Sequence, residues 1–154
     1  MGLELLKRLD TSAVDLSFKR YHNQTTTAIF KGGSTVDKTG KDGGAATEAT
    51  LEYEIEGAIE DMDGGKLNPG STLKQRVWIP KDGGEQTAWR LKDLAFVALA
   101  LGHPRPKEGE PAPVPEDSDI GKRVSLLLTY KPDKEDPNDK SKGNQNFRVS
   151  AIKA

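Results

Sequence analysis

Apolar and polar residues alternate in four stretches of this chain and abandon alternation in one. In "ATLEYEIEG" (49–57), Leu51, Tyr53 and Ile55 fall on one face, with Glu52, Glu54 and Glu56 on the other. "STLKQRVWIP" (71–80) sets Leu73, Val77 and Ile79 against Lys74, Arg76 and Trp78. "RVSLLLTY" (123–130) and the final "NQNFRVSAIK" repeat the period of two, through Val124, Leu126, Leu128 and Tyr130 and then Phe147, Val149 and Ala151. Period two is the signature of a half-buried strand. An earlier segment, "TTTAIFK" (25–31), is β-branched and aromatic and runs into Gly32-Gly33, which predicts a further strand with a stop.

The exception is "TAWRLKDLAFVALALGHP" (87–104), where every residue from Leu94 to Leu101 is apolar. Thr87 predicts the N-cap of a helix, and Gly102 followed by Pro104 its stop. A helix this apolar must be covered on nearly all sides. The order is three strands, one helix, two strands. It predicts an all-β protein with one helix, specifically a five-stranded Greek-key barrel of the OB type in which the helix between strands 3 and 4 plugs one end. A β-sandwich with the helix packed outside is the second architecture; its helix should keep a polar stripe to the end. Residues 1–24, with a short helix spaced by Leu5 and Leu9, form an N-terminal segment ahead of a domain at 25–154. A proline- and acid-rich connector interrupts that domain at 104–119.

Composition narrows the class. The chain has 154 residues, enough for one core, and 16 glycines and 9 prolines scattered as turn formers. Cysteine is absent, which removes disulfides, thiolate nucleophiles and cysteine-ligated zinc. Lys7 and Arg8 follow the first leucines rather than preceding them, unlike a secretion signal, and no apolar run approaches the roughly 18 residues of a membrane span. The expectation is a soluble cytoplasmic protein without membrane contact. The net charge of -1 leaves the choice of partner to local charge.

In barrels of the expected kind, ligands lie across strands 2 and 3 between the loops that join strands 1 to 2 and 4 to 5. Here those loops are long: residues 32–46 carry Lys38 and Lys41, and residues 131–143 carry Lys131, Lys134, Lys140 and Lys142. Single-stranded nucleic acid needs cations along its phosphates and flat surfaces under its bases. Lys74, Arg76 and Trp78 supply both at period two. The same residues have a plainer use, since Lys74 and Arg76 suit cross-strand pairing with Glu52, Glu54 or Glu56. Tyr21, Phe30, Tyr130 and Phe147 are expected in the core. Lys19, Arg20, Tyr21 and His22 form the tightest basic-aromatic cluster, whose plainer use is a solvated lead-in to the first strand.

Enzymatic signatures are missing. His22 and His103 are the only histidines, and "GGSTVDKTGKDGG" lacks the spacing of a phosphate loop. "EDMDGGK" (60–66) reads as turn chemistry rather than a cation site. No enzyme activity, cofactor or metal is expected.

The turn and strand "GGKLNPGSTLKQRVWIP", the helix "LKDLAFVALALG", the strand "DIGKRVSLLLTY" and the closing "NQNFRV" together resemble a family of phage-encoded proteins long known only as a domain of unknown function. They are similar to phage OB-fold single-stranded DNA-binding proteins. The resemblance spans about residue 25 to the end. It implies a sequence-nonspecific binder of single-stranded DNA serving phage replication or recombination in an infected bacterial host. Phage or host replication and recombination proteins are then further partners, and oligomeric state stays open. Lys74, Arg76, Trp78, Lys122, Arg123, Asn144, Asn146 and Arg148 occupy the matching segments. Many such binders end in an acidic tail, which "VSAIKA" lacks. A protein-interaction or virion structural module on the same small barrel, without nucleic acid, is the alternative.

Overall fold

A computed structural model describes residue 3 and residues 20–40, 43–139 and 142–152. The expected helix around Leu5 and Leu9, and Lys41 and Lys140, lie outside the described residues. Among the described residues, seven strands and one α-helix follow in order, with a single 3-10 turn at Asp117–Asp119 before β6: β1 Gln24–Thr39, β2 Ala45–Ile55, β3 Ile59–Glu60, β4 Lys66–Leu67, β5 Thr72–Pro80, α1 Glu85–Ala100, β6 Arg123–Lys131 and β7 Asn144–Ser150. The long strands make one antiparallel sheet in the order β5-β2-β1-β6-β7. The chain is thus mostly β with one helix between β5 and β6, as its patterning predicts. The second architecture, a sandwich, needs two large facing sheets; the other sheet here is only the β3-β4 hairpin.

The sheet curls without closing. Tyr53 on β2 and Phe147 on β7 belong to strands three places apart in the sheet, with β1 and β6 between them. Their rings nevertheless meet edge-on at 6.1 Å across the concave side. Phe30 on β1 packs on the other side of Tyr53 at 5.8 Å. Ile55, Ile59, Val124, Leu126 and Leu128 fill the rest of this core, joined by Leu94, Val97 and Ala98 of α1 and by Leu101, which caps it. Tyr53 donates its hydroxyl to Gln75 Oε1 at 2.8 Å, which satisfies the one polar atom it takes inside. Burial pushes that phenol's pKa well above its ordinary value. Between β5 and β7 there is no ladder, so the closed five-stranded barrel gives way to an open sheet with two free edges.

Three local expectations change. Gly32-Gly33 does not stop β1. Gly32 takes φ +93° and the register slips between Phe30 and Gly32, so Lys31 is the extra residue of a bulge and the strand continues through both glycines to Thr39. Most of the expected loop 32–46 is therefore strand of a long β1–β2 hairpin, with the Gly40 N–H bonded to the Gly44 carbonyl at its far end. Thr87 is not the N-cap either. The helix starts at Glu85 behind Gly84, whose N–H donates to Asp82 Oδ1 at 2.8 Å, while the Thr87 hydroxyl donates to the Pro80 carbonyl at 2.7 Å. Finally, α1 is not covered all round: Trp89, Leu91 and Phe96 are exposed.

The stop of α1 is as expected. With Gly102 at φ +100°, its N–H reaches the Leu99 carbonyl and that of His103 reaches Ala98, the paired bonds of a Schellman cap. His103 Nε2 then contacts Asp119 Oδ2 at 2.8 Å. Asp119 is fully buried and also accepts from Lys122 Nζ at 2.8 Å and from the Glu116 N–H at 2.8 Å. Burial alone would raise its pKa, but Lys122, the Glu116 N–H and His103 overcome that and hold it down to about 2.

Candidate nucleic-acid interface

α1 packs against both β5 and β7 and bridges the gap between the two free edges. A cleft of about 1470 Å³ opens there, walled by β5 on one side, β7 on the other and the second half of α1 across the end. Its charge is one-sided. Arg20, Lys74, Arg76, Arg90, Arg105 and Arg148 line it, against a single carboxylate, Asp93. Asp93 in turn sits 3.7 Å from Arg90 one helical turn away. Arg76, Arg105 and Arg148 form no ion pair with any described residue. In a concave site the fields of such cations add, so a chain of net charge -1 still presents a local anion trap. Asn146 and Gln145 add amides to the β7 wall, and Phe147 and Phe96 add aromatic surface.

The face of β2 and β5, on which sequence reasoning centred, sets cations of one strand beside glutamates of the other. Register places Lys74 opposite Glu52, Arg76 opposite Thr50 and Trp78 opposite Glu48. Lys74 reaches Glu52 only at 3.8 Å, with the two side chains 54% and 40% exposed, so the pair is worth less than about 1 kcal/mol and leaves Lys74 available. Trp78 is half-buried. Glu48 beside it takes Lys38 at 3.2 Å.

The residues singled out from sequence do not share one place. Lys74, Arg76, Asn146 and Arg148 line the cleft. Trp78 lies further along β5, outside it, and Lys38 is on the β1–β2 hairpin. Lys122 is tied to Asp119, and Arg123 donates Nε–H to Glu56 at 2.9 Å, which draws that carboxyl below its ordinary pKa. Lys131 ends β6, opposite Asn144. In the following loop Lys142 is held by Asp136 at 3.0 Å. Asp61 is buried in its own turn, accepting from the Asp63 and Gly65 N–H groups at 2.8 and 2.9 Å. No group of three metal-ligating side chains converges among the described residues.

Sequence reasoning missed Arg90, Phe96 and Arg105, and met Arg20 only in the basic-aromatic cluster at 19–22. They come from the lead-in, the helix and the connector, and no local pattern joins them. The curl that brings β5 and β7 to the two sides of α1 does. One signal was legible: Trp89 and Phe96 are seven residues apart, hence on one helical face. No protein-family model matches the chain, and no curated protein matches its sequence. No helix among the described residues is long and apolar enough to cross a membrane.

Proposed function

We propose that this chain is a sequence-nonspecific single-stranded DNA-binding protein of OB type, serving phage DNA replication or recombination. The observation that carries the reading is the cleft between β5 and β7, where six cationic side chains face one carboxylate. Phosphates, one per nucleotide, suit such a row of cations. Phosphate contacts fix a strand in place without carrying sequence information, which suits binding without sequence preference. The strand order β5-β2-β1-β6-β7, with the helix between the third and fourth long strands, supports the OB-type arrangement. The resemblance of residues 25 onward to phage single-stranded DNA-binding proteins supports the setting in replication or recombination.

The test is fluorescence anisotropy of a labelled oligothymidine and of a duplex of equal length, titrated with protein at low and moderate salt. Binding confined to the single strand, with a log-log salt slope of about -0.7 for each phosphate engaged, supports the reading. Absence of single-strand binding at low salt overturns it and returns the chain to the class of protein-interaction or virion structural modules.

A further inference from the structure

Base stacking was expected on β5, at Trp78, yet Trp78 is half-buried, lies outside the cationic cleft and faces Glu48 across the strand pair. The exposed aromatics are elsewhere. Phe96 is 51% exposed and forms part of the cleft wall, and Trp89 is 57% exposed. Seven residues separate them, so on α1 they point the same way, about 10 Å apart along the axis. Exposing two large aromatic rings on one helix costs solvation free energy that Leu94, Val97 and Ala98, buried on the other side of α1, do not cost. A cation accompanies the ring in the cleft wall: Lys92 holds its ammonium 5.8 Å from the Phe96 centroid.

We infer that the bound strand leaves the cleft along α1, with bases stacked on Phe96 and then Trp89 while Arg76 and Arg148 hold phosphates inside. This rests on the single-stranded DNA reading and assigns its stacking platforms to the helix rather than to the sheet. The charge of the surroundings decides the occupant. An apolar protein partner would bury Phe96 beside the unpaired arginines of the cleft at a desolvation cost, whereas a nucleic acid brings phosphates for the arginines and π-faces for the rings.

Trp78 and Trp89 are the only two tryptophans, so their fluorescence separates the possibilities. Full-length Trp78→Phe and Trp89→Phe proteins are titrated with unlabelled oligothymidine, and anisotropy is measured for Phe96→Leu, Phe96→Tyr and Trp89→Leu. Quenching on binding is expected to persist in Trp78→Phe and to vanish in Trp89→Phe. Phe96→Leu and Trp89→Leu are each expected to weaken binding at least fivefold, while Phe96→Tyr, which keeps the ring, stays near the original affinity. Both side chains being exposed, the leucine variants retain the fold, which far-UV circular dichroism checks. Strong single-strand binding with quenching that follows Trp78, or with leucine variants at full affinity, overturns the helical path while leaving the DNA reading in place. A wild-type protein that binds no single strand overturns both.

Discussion

Arg76 on β5 and Arg148 on β7 stand on the two free edges of one sheet, with β2, β1 and β6 between them in hydrogen-bonding order, and still line the same cleft. Neither has an anionic partner among the described residues. Replacing either by alanine should weaken oligothymidine binding roughly fivefold or more, uniformly across sequences. The salt slope should fall by about 0.7 for each residue removed. Anisotropy titrations at several salt concentrations read both quantities, and an unchanged slope would remove that arginine from the phosphate path.

Asp119 gives the fold a titratable clasp. Its carboxyl is held down to about 2 from an ordinary 3.8, so the unfolded chain binds its proton first as the medium is acidified. The stability it contributes, on the order of 2 kcal/mol, is complete above pH 4 and drains away as the pH falls toward 2. Urea midpoints measured across that window should drop for the wild type. In Asp119→Asn they should start lower and lack this component of the decline.

Gly33 tolerates no side chain. A Cβ there would lie 2.1 Å from the Thr50 carbonyl oxygen, a backbone atom that cannot rotate away. Gly33→Ala is expected to cost about 2–3 kcal/mol in urea unfolding. Gly64→Ala, at φ +89° but with nothing within 4 Å, should cost only the left-handed backbone penalty of about 1–2 kcal/mol. Equal costs at the two sites would mean that β1 and β2 separate readily at the bulge.

Tyr53→Phe should keep the ring contacts with Phe30 and Phe147 and lose only the bond to Gln75. About 1 kcal/mol is expected, read as a lowered urea midpoint with an unchanged slope.

The strands were legible because their side chains obey a rule that needs only near neighbours. Leu51, Tyr53 and Ile55 face inward, as alternation requires. What escaped were features set by distant partners. Gly32-Gly33 looks like a stop in isolation, but the pairing of Ser34 through Thr39 with β2 carries the strand on. Thr87 looks like a cap, but Asp82 stands nearer the true start of the helix and takes the Gly84 N–H. The candidate site was half legible. Lys74, Arg76, Asn146 and Arg148 were named from strands, while Arg90 and Arg105 join them only because the sheet curls around α1.

The contact between His103 and Asp119 has a topological consequence. It pins the two ends of the proline- and acid-rich connector together, so residues 104–118 form a nearly closed ring hung from the body of the protein. Most of that ring is exposed. Its length is thus decoupled from the distance it spans, and a longer or shorter ring would alter the closure entropy only slightly. A peptide-bond cut within it would leave the helix and β6 in register, as two fragments of one intact molecule.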